Sequence, residues 1–336
     1  MHVAVRADGG PSLGFGHLVR TARLADALVA RGHEVSYLTS TPAATSSVVP
    51  ADVTVESLRN GTPGEAGIDA LLPRIRDGAF DALVLDVGGV PLEVQRRLTE
   101  TDVSLALVVD DTGGTVCCDL LHNGHVYASP TDYEWVGTEP TWCVGGEFVV
   151  LDRALSDLAR QTPPWRDRPA HALITMGGSD VRGTTPGAVR AFDELPVAVD
   201  VVVGPGFENG AAIRTAARES DCKVTLHSDP PDMASLMFRA DLAVTALGIT
   251  AYELLALGTP LVGLVQAPDQ RPKARALREA DAALVLDPDA GSRRIHRAVS
   301  SLVADPDRRR SLRERGRALV GADGCERFAD AIETLE

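Results

Sequence analysis

The first group in this sequence able to do chemistry is a histidine that closes a glycine-rich loop. Residues 6 to 28 read RADGGPSLGFGHLVRTARLADAL and follow the apolar start MHVAV. Gly9, Gly10, Gly14 and Gly16 precede a helical pattern, and His17 falls in its first turn. A glycine loop between strand and helix commonly cradles a phosphate. Neither nucleotide fingerprint fits here. No lysine completes G-x-x-x-x-G-K-[ST], and G-F-G-H-L-V has valine where the dinucleotide pattern needs a third glycine. Gly14 and Gly16 still let a ligand approach the backbone closely. At a helix start His17 meets the positive dipole end, which is expected to lower its pKa and keep it neutral. A neutral imidazole can act as a general base. The plainer reading is a histidine that caps or packs the helix.

Three further stretches carry polar groups after strand patterns. In MGGSD (176 to 180), Gly177, Gly178 and Ser179 offer backbone N–H groups to an anion, although a tight strand-to-helix turn also favours glycine. In TALGITAYELLALGTP (245 to 260), Gly248 makes a turn, and Ile249 and Thr250 open a helix whose N-terminus can hold an anion without a metal. Glu253 lies one turn further in, where its carboxylate can accept from both hydroxyls of a ribose. It reads equally well as a solvated glutamate favoured by the helix dipole. In DQRPKARAL (269 to 277), Asp269 and Gln270 begin a helix at the same strand edge. They suit sugar hydroxyls or a helix cap.

Strands and helices must alternate to bring these loops to the same edge. Buried-strand patterns occur at 3–7, 35–39, 82–87 and 105–110, and again at 172–177, 199–204, 223–227, 242–246, 260–265 and 282–287. Amphipathic stretches such as HLVRTARLADALVARG and TAYELLALG lie between them, each closed by a glycine. The pattern predicts a doubly wound α/β architecture. The stretch RQTPPWRDRPAH (160 to 171) has three prolines and no apolar periodicity, so it reads as a linker. Two domains follow, 1–160 and 170–336, with the final helix able to pack back on the first. Two tandem α/β domains favour a ligand held where their carboxyl strand edges face one another.

Composition narrows the function classes. The chain has 336 residues, is 44% hydrophobic and carries a net charge of −14. The acidic balance argues against a nucleic-acid partner. No apolar run is long enough to span a membrane, and the chain runs directly into a strand pattern without a leader, so a cytoplasmic protein is expected. Only Lys223 and Lys273 are lysines. Cys117, Cys118, Cys143, Cys222 and Cys325 lack C-x-x-C spacing and read as reduced thiols. His122 and His125 have metal-like spacing, but Gly124 breaks any helix and no third ligand accompanies them. Neither a metal nor a cofactor is expected, and the oligomeric state is left open.

Taken in order, R-A-D-x(5)-G-x-G-H-x-x-R, LVVDD followed by LLHNG, ITMGGSD and TAYELLALGTPLVGLVQAPDQ resemble the UDP-sugar hydrolases of pseudaminic acid biosynthesis. Those enzymes are relatives of the lipid-II glucosaminyltransferases and share the GT-B fold of two Rossmann-like domains. The resemblance covers nearly the whole chain. It implies a UDP-linked amino or deoxy sugar as substrate, of the 2,4-diacetamido-2,4,6-trideoxy type, cleaved without metal. By the same resemblance His17 activates water, and Arg6, Asp8, Gly14, Gly16, Asp86, Asn123 and Gln270 serve the sugar. Gly177, Gly178, Ser179, Gly248, Ile249 and Thr250 hold the diphosphate, and Glu253 the ribose. Two departures stand out. Where the family carries a tyrosine shortly after the aspartate matching Asp86, this chain has Val87, Gly88 and Gly89. The usual glycine pair before the helix that carries Thr250 and Glu253 is Leu247-Gly248.

Two other functions share this pattern. A UDP-glycosyltransferase would use His17 on an acceptor hydroxyl, and a non-catalytic nucleotide-sugar binding protein would keep the pockets alone. Transferases acting on lipid carriers present an apolar, basic patch on the first domain. The stretch STPAATSSVVPADVTVESLRNGTPGEAGID is neither basic nor strongly apolar, which favours a soluble substrate.

Overall fold

Runs of valine and leucine buried on both faces need a layer of helices on each side, and the chain builds two such sheets. In the computed structural model the described residues are 1–10, 13–58, 67–77, 80–228 and 230–335. Pro11 and Ser12 of the opening loop lie outside them, as do residues 59–66 of STPAATSSVVPADVTVESLRNGTPGEAGID. The first strands are β1 (His2–Ala7), β2 (Glu34–Thr39), β3 (Thr54–Ser57), β4 (Ala82–Asp86) and β5 (Ser104–Val108). They are followed by β6 (Thr115–Val116), β7 (Leu120–Asn123), β8 (Glu134–Trp135) and β9 (Thr141–Val144). The main sheet runs β3-β2-β1-β4-β5-β7-β9, and β6 pairs with β8 apart from it. The second half contains β10 (His171–Thr175), β11 (Ala198–Val203), β12 (Val224–Ser228), β13 (Leu242–Ala246), β14 (Leu261–Leu264) and β15 (Leu284–Leu286). Their order is β12-β11-β10-β13-β14-β15. This is the two-domain parallel α/β architecture that the sequence predicts. β7 and β9 extend the first sheet although LLHN and TWCV are too short and polar to stand out as buried strands.

In each sheet the strand order reverses once, between β1 and β4 and between β10 and β13. Connections leaving the two strands at such a point go to opposite faces and open a crevice at the carboxyl edge. The opening glycine loop leaves β1 at one of these points. MGGSD and Leu247–Thr250 leave β10 and β13 at the other.

The chain divides into two units: Met1–Arg153 together with Asp323–Glu336, and Ala154–Ala322. In the first, Cys325, Phe328, Ala329 and Ile332 of the terminal helix Gly324–Glu333 share one core with Leu24 and Leu28 of the helix Gly16–Ala30. Gly324 fits there because it has no side chain. A Cβ would stand 2.2 Å from the carbonyl oxygen of Val149. In the second unit, the stretch read as a linker packs on the helix Pro306–Leu319. Arg309, fully buried, donates to the carbonyls of Arg166 and Asp167. Trp165 lies against the guanidiniums of Arg309, Arg310 and Arg313. Prolines suppress periodicity in a sequence without preventing tight packing.

Candidate active site

The switch point of the first sheet assembles a charged network. Asp86 is the last residue of β4 and pairs in register with Ala7 at the end of β1. Beyond β1, the backbone N–H of Gly10 donates to the Gly14 carbonyl at 2.9 Å. Gly14 adopts φ +80°, a conformation that strains other side chains. The loop thus delivers Gly16 and His17 to the start of the first helix. His17 Nδ1 lies 2.6 Å from Asp86 Oδ1. Arg20, one turn on, donates from Nη2 to Asp86 Oδ1 at 2.7 Å and from Nε to Oδ2 at 2.9 Å. Its other edge meets Asp110, which faces His125 Nε2 at 3.5 Å.

This arrangement corrects two expectations. The helix start was expected to lower the pKa of His17, but the pKa is raised from 6.5, above all by the hydrogen bond to Asp86 and against the effect of burial. A full carboxylate at contact distance outweighs the partial charge of a helix terminus. Asp86, for its part, is 1% exposed and was expected to touch the sugar. Its oxygens are instead engaged by His17 and Arg20. Burial pushes the Asp86 carboxyl up, yet the Arg20 charge and the His17 hydrogen bond hold it below the usual carboxylate range. Asp86 therefore acts on His17. With Nδ1–H donated to Asp86, the lone pair of neutral His17 lies on Nε2.

His17 borders a cavity of about 360 Å³. Gly88 and Gly89, after β4, form one wall, while Asp110, Asp111 and Tyr133 form another. A tyrosine does reach this cavity, from far along the chain. Tyr133 is 5% exposed and donates its hydroxyl to the Asp111 carbonyl at 3.0 Å. Sequence spacing carries no signal for it, because it arrives by tertiary folding from the short segment before β8.

Several predicted sugar ligands are internal. Arg6 is 0% and Asp8 2% exposed, and they pair at 2.7 Å. Asp8 also accepts from the Ser40 N–H at 2.7 Å and the Thr39 hydroxyl at 2.9 Å. The pair ties the ends of β1 and β2 together beneath the glycine loop. Asn123 is 0% exposed. It donates to the Tyr133 hydroxyl at 2.8 Å and the Asp111 carbonyl at 3.1 Å, and accepts from the His125 N–H at 3.0 Å. These three residues shape the site from behind. Gly14 and Gly16 are exposed, and among the described residues nothing beyond their own chain neighbours and helix backbone lies within 4 Å of where their Cβ atoms would be. His122 and His125 separate: His122 stacks on Phe328 with its Nε2 at the Phe148 carbonyl, and burial pushes its pKa down to about 4. Among the described residues no three His, Cys, Asp or Glu side chains converge as metal ligands.

The second unit presents backbone amides at its own switch point. Gly177 (φ +73°), Gly178 and Ser179 form a turn after β10. Asp180, at φ +35°, organises it by accepting from the N–H groups of Thr184 and Thr185 at 2.8 and 3.0 Å and from Asn209 at 2.7 Å. Gly204 must be glycine, since a Cβ would come within 2.6 Å of the Gly177 carbonyl. The helix Ile249–Leu257 begins at Gly248, a residue with no side chain of its own to cap the first amides. Ile249 is 43% exposed, whereas Ala251 to Leu257 are buried, so this helix opens outward only at its start. Glu253 is 8% exposed and not the solvated residue its position suggested. Gln270 accepts from the Gln266 N–H at 2.8 Å, and Gln266 donates to Thr184 at 3.1 Å, linking the loops after β14 and β10. Gln270 thus braces a loop in the unit that carries the amides.

No protein-family model matches the chain. It is 28% identical over 346 aligned positions to the spore coat polysaccharide biosynthesis protein SpsG of Bacillus subtilis (strain 168), covering 100% of this chain and 98% of that one. It is 23% identical to a UDP-2,4-diacetamido-2,4,6-trideoxy-beta-L-altropyranose hydrolase of Campylobacter jejuni, covering 76% and 89%. Among solved structures, the calicheamicin glycosyltransferase CalG4 superposes with TM-score 0.69 at 19% identity, over 99% of this chain and 98% of that one. The two parallel-sheet units are those of the GT-B glycosyltransferase fold, in a chain whose relatives include a protein of polysaccharide biosynthesis.

Proposed function

We propose that this chain hydrolyses a UDP-linked amino or deoxy sugar without a metal ion and releases UDP, with His17 as general base. The carrying observation is the 2.6 Å contact between Asp86 and His17 at the edge of a sugar-sized cavity. Asp86 orients the ring and stabilises the imidazolium that forms when Nε2 takes a proton from water. The resulting hydroxide equivalent attacks the anomeric carbon, and the bond to the diphosphate oxygen breaks. Gly177, Gly178, Ser179, Gly248, Ile249 and Thr250 hold the diphosphate through backbone amides and the helix start, which offsets the charge of the leaving group. Glu253 accepts from the ribose hydroxyls. The reading is supported by the likeness to the Campylobacter jejuni hydrolase, and a 2,4-diacetamido-2,4,6-trideoxy sugar is the substrate type that this relative suggests.

The test is a panel of UDP-sugars, offered with and without acceptors and with EDTA, with UDP release measured. UDP release in water alone, insensitive to EDTA, is expected. Turnover only with a second substrate would assign transfer instead, and binding without turnover in either case would assign a nucleotide-sugar binding protein. Activity lost with EDTA and restored by magnesium or manganese would assign a metal-assisted leaving group.

A further inference from the structure

Lys273 is one of two lysines in the chain, and it is 6% exposed. Lysine is seldom shut in that far. It lies in the first turn of the helix Arg271–Glu279, which follows the loop after β14. Its Nζ donates to the carbonyl of Gly248 at 2.9 Å and stands 4.0 Å from the centroid of the Tyr252 ring. Gly248 is the residue that opens the helix Ile249–Leu257, and Tyr252 lies in that helix's first turn. A fixed cation therefore touches the peptide at the mouth of this helix. It adds a positive charge beside the first turn of this helix. The stem is packed among buried side chains, so the charge is screened less by salt than a surface lysine would be.

We infer that Lys273 is a positioning residue that sets the affinity of the second unit for the diphosphate of a nucleotide, through its charge and its hold on the Gly248 carbonyl. The inference rests on the nucleotide assignment made above. It adds a side-chain cation to a site otherwise built of backbone amides. A lysine that merely filled space would affect nucleoside and nucleotide alike. A lysine acting on the diphosphate distinguishes UDP from uridine, which lacks phosphate.

Calorimetry on the full chain with UDP and with uridine separates these roles, using Lys273→Gln, Lys273→Met and Lys273→Arg. Glutamine keeps a donor for the Gly248 carbonyl while removing the charge. Both neutral variants are expected to weaken UDP binding by about 10- to 100-fold, the scale of a charged hydrogen bond, and to leave uridine binding unchanged. Lys273→Arg is expected to retain most of the UDP affinity. Unchanged UDP affinity in folded Lys273→Gln overturns the inference, and so does an equal loss for UDP and uridine. Wild type that binds neither ligand overturns the nucleotide assignment itself, an outcome distinct from wild type that binds UDP with unaffected variants.

Discussion

Asp86 Oδ1 sits 2.6 Å from His17 Nδ1, joining residues 69 positions apart, one at the carboxyl end of β4 and the other at the start of the helix that follows the neighbouring strand β1. The contact fixes which nitrogen of the imidazole carries the proton and gives the ring a permanent anionic partner. Arg20 keeps that partner ionised from its other side.

On the mechanism proposed above, replacing His17 by asparagine removes the general base while the nucleotide contacts, assigned to the second unit, are kept. The kcat for UDP release should fall about 10²- to 10⁴-fold, the usual worth of a general base. UDP affinity, measured by calorimetry, should stay at the wild-type value. A wholesale loss of UDP binding in a folded variant would make the glycine loop of the first unit the nucleotide cradle.

The raised pKa of His17 sets the pH dependence. The base works only when neutral, so kcat/KM should rise with pH and level off above the raised pKa. In Asp86→Asn the carboxylate is gone, and the acid limb should move to lower pH while kcat drops. For stability the sign is opposite. The Asp86–His17 contact stabilises the fold fully below the ordinary histidine pKa of 6.5, and this contribution is lost as pH rises through the raised folded value. NMR titration of the His17 ring in both proteins reads the shift directly. Equal midpoints would show that Asp86 does not tune the base.

Glu253→Ala should weaken UDP binding by about 1.5 to 3 kcal/mol, the scale of charged hydrogen bonds, if its carboxylate holds the ribose. A control with a nucleotide lacking ribose hydroxyls should show no such difference between wild type and variant. Equal UDP affinity in the two proteins would remove Glu253 from the site.

Gly324→Ala tests the anchoring of the terminal helix. The added Cβ meets the Val149 carbonyl oxygen at 2.2 Å, so the helix or the segment before Arg153 must shift. Overpacking of this kind costs about 1 to 3 kcal/mol. Chemical denaturation should show that loss, and an unchanged midpoint would mean the helix relaxes without cost.

The sequence alone determined the two parallel α/β sheets, because buried parallel strands are written as continuous apolar runs and their helices as periodic ones. It also singled out His17, since a glycine loop between strand and helix is a local signal. The roles of the surrounding polar residues were decided only by tertiary structure. Arg6, Asp8, Asp86 and Asn123 look alike in sequence, as polar residues at strand ends. Folding sends all four inside, where each satisfies a buried partner and supports the site from behind. Tyr133 and Lys273 show the converse. Nothing local marks either for its place, yet packing carries one to the wall of the His17 cavity and the other to the mouth of a helix whose N-cap residue, Gly248, lies 25 positions back. Period and composition report which face of an element is buried. Which side chains meet across elements depends on strand order and register, which local periodicity does not encode.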